Sequence, residues 1–249
     1  MKAFRAMLAI ELKMSSRNFI YMFFSFIFPP MMLLLFGSMY GNQPSEFFSG
    51  FGAVDILVPS YIPMILAVSG LMGLPLQLAM YRHYKVLKRY RATPVGAGTI
   101  MWPHFIVNAL LCAVGILLLL AVGKAAFDLH FFGNALELVA ALILSVAAVF
   151  SLGFMIAAVA PNNRAATLIA YLVYFPMLFI SGSSLPRELL PPAVQTVAKV
   201  VPLTHSVTVL QGVWLGGSLG DYRLELAVLA GFALVFAGIA LKTFRWEGR

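Results

Sequence analysis

The chain has 249 residues, 61% of them hydrophobic and 10% charged, and its net charge is +8. Soluble domains carry about 45–50% apolar and ~25% charged residues, so composition points away from a soluble globular protein and towards a membrane one. Basic chains often bind nucleic acid, but here Lys and Arg sit at the ends of apolar stretches, where they orient a chain in a bilayer, and no nucleic-acid partner is implied.

The N-terminus carries Lys2 and Arg5 ahead of an apolar run from about Phe19 to Met39. That run is longer than the ~7–15 residues of a signal-peptide core, and it is read as a retained anchor. Residues 1–18 are read as an amphipathic interfacial helix. At about 100° per residue, Lys2, Arg5, Ala9, Lys13 and Ser16 share one face, opposite Phe4, Met7, Ile10 and Met14. Glu11 falls on the apolar face, as an exposed rim residue or as a partner for a basic loop residue.

About 20 apolar residues cross the hydrocarbon. Six segments qualify: 19–39, 57–80, 101–122, 136–160, 166–180 and 224–241. Their cores are read as free of Lys, Arg, Asp and Glu. Cys112, the one cysteine, lies in the third segment and reads as a small core residue. On one side of the spans fall thirteen basic residues: Lys2, Arg5, Lys13, Arg17, Arg82, Lys85, Lys88, Arg89, Arg91, Arg164, Lys242, Arg245 and Arg249. The other side holds four: Lys124, Arg187, Lys199 and Arg223. This asymmetry predicts that both termini are cytoplasmic.

The loop at 81–98 segregates its residues. As a helix it groups Arg82, Lys85, Lys88, Arg89 and Arg91 on one half and His83, Val86, Leu87 and Tyr90 on the other, before Thr93-Pro94 breaks it. Setting topology needs only charge; a clean apolar face suggests a docking surface. The long segment 181–223 is rich in turn formers and is too short and polar in its apolar part, Ala193–Val201, for a seventh span. It is expected to be a re-entrant or interfacial hairpin shielded by protein.

Chemistry is sparse. The sequence contains no G-x-x-x-x-G-K-[ST] loop to cradle ATP phosphates. His83, His104, His130 and His205 are scattered without metal-ligand spacing, so no metal and no catalytic residue is expected. His205 reads as a polar-surface or capping residue. Ion-coupled carriers usually place ionisable groups or broken helices at the midplane, so energy is expected to enter from outside this chain.

Arg82–Pro94, R-H-Y-K-V-L-K-R-Y-R-A-T-P, resembles the first cytoplasmic loop of type 2 ABC exporter permeases. Phe175–Gly182, followed by Pro186 and Leu190-Pro191, resembles the end of that family's fifth span, and Val201-Pro202-Leu203-Thr204 with Gly212 continues the pattern. The chain departs from it at His83 and Lys85, where many members carry a glutamate or glycine. The resemblance covers the whole chain. It implies an all-α membrane protein, one transmembrane domain over 1–249, with six transmembrane helices, an N-terminal amphipathic interfacial helix and an outer re-entrant hairpin between spans five and six. It also implies a permease that works as a dimer with itself or a related permease, in the bacterial or archaeal cytoplasmic membrane, beside ATP-binding cassette subunits that hold the ATP and Mg. This chain would then carry no cofactor of its own. Arg82, His83, Lys85, Val86, Leu87, Arg89 and Tyr90 would form the coupling helix seated on the ATPase.

The cargo path is expected to be apolar with modest polarity. Phe24, Phe28, Asn108, Tyr171 and Tyr174 are its candidate lining, with Ser25, Ser69, Gln77, Ser145 and Thr167 as further polar groups; Phe179, Ser181 and Gly182 are candidates for an outer gate. A path without fixed charge suits a hydrophobic or amphiphilic molecule such as a drug, an antibiotic or a lipid. Export of a polysaccharide or glycolipid is the alternative cargo, since aromatic rings also stack on sugars. A non-transporting assembly or sensor subunit is the alternative of another class.

Overall fold

The structure, a computed structural model, describes residues 8, 10, 12–84, 97–184 and 190–243, without the side chains of Phe47, His83 and residues 97–101. Among the described residues every element is helical. Six helices are long and apolar enough to cross a membrane: Phe19–Tyr40, Ala53–Arg82, Trp102–Phe127, Ala135–Val159, Asn163–Ile180 and Leu219–Thr243.

The second span is the core of the bundle. It is 89% buried over its apolar window, whereas the sixth is 11% buried and packs chiefly along the fourth. A helix hydrophobic all round is the kind that neighbours can enclose completely. One packed cluster joins Val54, Val58, Ile62 and Leu66 to Leu119, Ala148, Val213 and Trp214. A second joins Met64, Val68 and Leu71 to Tyr21, Val107, Val149, Tyr174 and Leu203.

The second span is longer than its apolar run. It starts at Ala53 and so takes in Asp55, and it ends at Arg82. Glu137 and Glu225 likewise stand in the first turns of their helices. The reading of spans free of ionisable groups is therefore corrected: Asp55 and Arg82 lie beyond the bounds expected for span two, whereas Glu137 and Glu225 stand inside those expected for spans four and six, in first turns where a carboxylate is favourable.

Two spans open into π-helical turns. The Phe28 N–H reaches back five residues to the Phe23 carbonyl, and the Leu74 N–H to the Ser69 carbonyl. Both segments, Phe23–Ile27 and Val68–Gly73, run up to prolines: Pro29-Pro30 in one case, Pro75 in the other. A proline lacks the N–H for the carbonyl four residues before it and crowds that carbonyl, and a wider turn relieves the clash. Glycines then let the displaced backbone approach a neighbour. A Cβ on Gly153 would lie 1.9 Å from the Gly70 carbonyl oxygen, and one on Gly115 would lie 2.9 Å from that of Ser25. Close backbone crossings through small residues are how helices pack in lipid, where apolar burial gives no advantage.

Segment 181–223 holds a short helix, Pro192–Ala198, and a 13-residue helix, Pro202–Trp214. The latter is too short to span the roughly 20 residues a bilayer demands. Its first turn, with Leu203, packs among Met64 and Val68; its last, with Val213 and Trp214, packs among Val54 and Val58. It therefore runs beside the first half of the second span. His205 Nε2 lies 2.8 Å from the Lys199 carbonyl, bracing the turn that precedes this helix.

Candidate transport site

The candidate path residues separate into two places. Phe24, Phe28, Tyr171 and Tyr174 come together where spans one and five meet. The Phe24 ring lies 5.2 Å from Phe28 and 6.2 Å from Tyr174; Phe175, 5.1 Å from Tyr174 and 6.1 Å from Tyr171, completes the set. Most of these rings meet edge to face, the arrangement the ring quadrupoles favour. Phe24 belongs to the π-helical segment of span one, so the widened turn is what carries this ring to the cluster. The Tyr174 hydroxyl is buried and bonded to no described group.

Asn108 lies elsewhere. Its Nδ2 donates to Gln77 Oε1 at 3.1 Å and to the His104 carbonyl at 2.9 Å, and Gln77 Nε2 donates to Ser15 Oγ at 2.5 Å. This buried chain ties the N-terminal residues to spans two and three. Gly73 makes room for it, since a Cβ there would fall 2.1 Å from Asn108 Oδ1. Ser69 pairs with the Tyr21 hydroxyl at 3.3 Å, and Thr167 bonds its own helix at the Asn163 carbonyl. Ser25 and Ser145 are buried with no described partner.

At the end of span five the candidate gate residues also divide. Ser183 and Ser184 each donate to the Leu178 carbonyl at 3.1 Å, and the Ser181 and Ser183 hydroxyls lie 2.9 Å apart. Gly182 holds φ at 89°, in the left-handed region that favours glycine. Serines and glycine thus form a buried cap for a helix end, whereas Phe179 is exposed.

Of the coupling-helix candidates, Lys85, Val86, Leu87, Arg89 and Tyr90 lie outside the described residues, as do residues 1–7 and Glu11. His83 closes the helix Leu74–His83. Arg82 is described, and its guanidinium is turned inward. Nη1 donates to the Ala160 carbonyl at 2.8 Å and Nη2 to the Ala157 carbonyl, both at the end of span four. At 7% exposure this group belongs to the bundle rather than to the basic half of a helical wheel.

The opposite end of span two holds a site that sequence reasoning missed. Asp55, 3% exposed, accepts at Oδ1 from Asn42 Nδ2 at 3.0 Å and from the His130 N–H at 2.8 Å. Asn42 Oδ1 in turn accepts from the Asp55 N–H at 3.1 Å. The His130 carbonyl accepts from Trp214 Nε1 at 3.1 Å, so the knot reaches the inserted helix. His130 Nδ1 stands 3.7 Å from Asp55 Oδ2, and exposed Asp128 is paired with Lys124 at 2.5 Å, which holds its carboxyl below the ordinary carboxylate range. Nothing local in the sequence links Asn42, Asp55, His130 and Trp214. Among the described residues no group of three His, Cys, Asp or Glu is placed to hold a metal ion.

Six helices long and apolar enough to cross a membrane, packed around the second of them, define the architecture of a polytopic membrane protein. The family model described as ABC-2 type transporter matches residues 2–215, and the chain belongs to that family. Nodulation protein J of Rhizobium meliloti (strain 1021) is 36% identical over 85 residues, 34% of this chain and 32% of that protein. The inner membrane transport permease YhhJ of Escherichia coli (strain K12) is 31% identical over 103 residues, 41% of this chain and 28% of its own length. ABC transporter G family member 20 of Dictyostelium discoideum is 28% identical over 181 residues, 72% of this chain and 24% of that protein. The matches thus cover about a third or less of these relatives' lengths.

Proposed function

We propose that this chain is the membrane-spanning permease subunit of an ATP-driven exporter that moves a hydrophobic or amphiphilic small molecule out of the cytoplasm. The observation that carries the cargo class is the uncharged aromatic cluster of Phe24, Phe28, Tyr171, Tyr174 and Phe175 between spans one and five. Rings and two phenolic hydroxyls suit a molecule with a large apolar body and few polar groups. The charged side chains of span two stand at its two ends, away from this cluster.

ATP would be bound and hydrolysed by a separate cassette subunit seated on the 81–98 loop, with Leu87, Val86 and Tyr90 as its apolar contact. A second permease copy, or a related permease, would cover the exposed apolar faces of spans one and five, which include Phe19, Ile27, Leu34, Leu168 and Leu172. The basic asymmetry places both termini in the cytoplasm of this reading. A cysteine introduced near Glu46 is then labelled by an impermeant thiol reagent from outside, and one near Thr93 is not.

The test is transport in proteoliposomes carrying the permease with its co-purified ATP-binding subunit. The expected result is ATP-dependent movement of rhodamine 6G, and none with a proton or sodium gradient alone. Gradient-driven movement without the ATPase would overturn the exporter reading. ATP-dependent movement of a lipid-linked oligosaccharide, with none of the dye, would overturn the cargo class.

A further inference from the structure

Span four ends at Val159, and its last carbonyls have no helical N–H to accept. Pro161 makes this worse. The N–H that would have reached the Ala157 carbonyl is absent, because residue 161 is the proline that follows. Arg82 supplies the missing donor and also takes the Ala160 carbonyl. A planar guanidinium with several fixed N–H groups can hold two carbonyls at once, and its charge suits the negative end of a helix.

The contact is built for a tight fit. Ala79 lies one turn before Arg82 and packs with Ala160 and Ala166, so small side chains bring span two against the bend between spans four and five. Asn162 then caps span five by accepting from the Ala165 N–H at 2.9 Å. That span carries Tyr171, Tyr174 and Phe175 of the aromatic cluster. Arg82 also stands at the start of the 81–98 loop.

We propose that Arg82 is a positioning residue that carries movement of the 81–98 loop into the bend at Ala160–Asn162, and so into span five. The proposal rests on the reading of that loop as the ATPase-docking element. A buried charge held by two carbonyls has no cheap alternative partner, so loop base and bend move as one body. Without Arg82 the ATPase still has its seat, but its movement no longer reaches the aromatic cluster.

The experiment uses the complex of permease and ATP-binding subunit in lipid nanodiscs, in a Cys112→Ala background. Spin labels at Tyr84 and Arg164, both exposed, report the spacing across the clamp. A small trifluoromethyl label at Leu172, on the face of span five that a second permease copy would cover, reports movement of that span by fluorine NMR. With Arg82 present, the spacing is narrow and unchanged by ATP with vanadate, while Leu172 responds. With Arg82→Met, the spacing broadens and shifts with ATP, the Leu172 response is lost, and ATP turnover and subunit co-purification persist. A merely structural role would not separate turnover from the Leu172 response. Wild-type spacing and response in Arg82→Met overturn the proposal. If Arg82→Met does not fold, Arg82→Lys decides: intermediate breadth with a reduced response supports it, and wild-type values overturn it. A wild-type permease that holds no ATP-binding subunit removes the reading beneath the proposal and the proposal with it. That outcome is distinct from failure of the clamp, in which the subunit is held and Arg82→Met changes nothing.

Discussion

The two ends of span two solve the same problem with opposite charges. Asp55 is buried at one end and accepts N–H donors; Arg82 is buried at the other and donates to carbonyls. Among the described residues neither charge depends on a close ion pair for its main partners. The difference is in what each one joins. Asp55 gathers three connections, through Asn42, His130 and, by way of the His130 carbonyl, Trp214. Arg82 makes one joint with one bend. A knot of many strands fixes an end in place, whereas a single joint passes on displacement, so the first end is expected to govern stability and the second coupling.

The comparison breaks most visibly at Asp55. Asp55→Leu leaves the His130 N–H without its acceptor, at about 1–3 kcal/mol for a stranded group, and takes from Asn42 Nδ2 one of its acceptors, with the Phe127 carbonyl at 3.2 Å remaining. A loss on the order of 3 kcal/mol is expected in detergent unfolding followed by tryptophan fluorescence. Arg82→Met is expected to lose less in the same assay, because bare carbonyls are tolerated better than bare N–H groups. Equal losses at the two ends would remove the distinction.

Midway between the ends, Gly153→Ala forces a methyl into the Gly70 carbonyl. Overpacking of this kind costs about 1–3 kcal/mol, and it acts on the crossing that both ends rely on. The expected signature is a lower unfolding midpoint together with a broadened Tyr84–Arg164 spacing. Gly182→Ala places a Cβ at φ 89° and is expected to cost about 1–2 kcal/mol, with the serine cap of span five loosened. Faster hydrogen exchange at Ser181–Ser184 would show it.

The smallest effect belongs to Lys124→Ala. Lys124 depresses the Asp128 carboxyl, so any stability from the pair is present at neutral pH and is lost as pH falls through the depressed value. Both side chains are exposed, and such pairs contribute little. Unfolding midpoints of wild type and Lys124→Ala should coincide at neutral pH; a clear gap would mean that the Asp55 knot extends to the surface.

The six spans were legible in the sequence because apolar runs of that length have few other solutions. The first was expected at 19–39 and is found at Phe19–Tyr40; the fourth was expected at 136–160 and is found at Ala135–Val159. Asp55 escaped because hydropathy counts a carboxylate as the end of a span, while the helix continues wherever the carboxylate finds donors. Arg82 was read with the basic half of its loop because a helical wheel sees only local spacing. The group that turns it inward is a carbonyl orphaned by Pro161, nearly eighty positions away. Asn108 and Tyr174 were grouped by polarity alone, and only packing separates them. The π-helical turns have a partial signal in Pro29-Pro30 and Pro75, but a proline equally predicts a kink, and the choice is made by the glycines of other spans.

Those widened turns also set the phase of everything that follows them. Each holds about one residue more per turn than an α-helix does. Winding the same residues as an ordinary α-helix, with none removed, would rotate the rest of span one by about 100° about its axis. Leu33 and Gly37, now buried, would swing out, and Met31 and Leu34, now exposed, would turn towards the neighbouring spans. Chain length through these segments is therefore as much a part of the recognition code as residue identity: a homologous sequence one residue shorter there keeps the same faces with a plain α-helix, and one of equal length that lacks the wide turn presents a different side of the helix to the same neighbours.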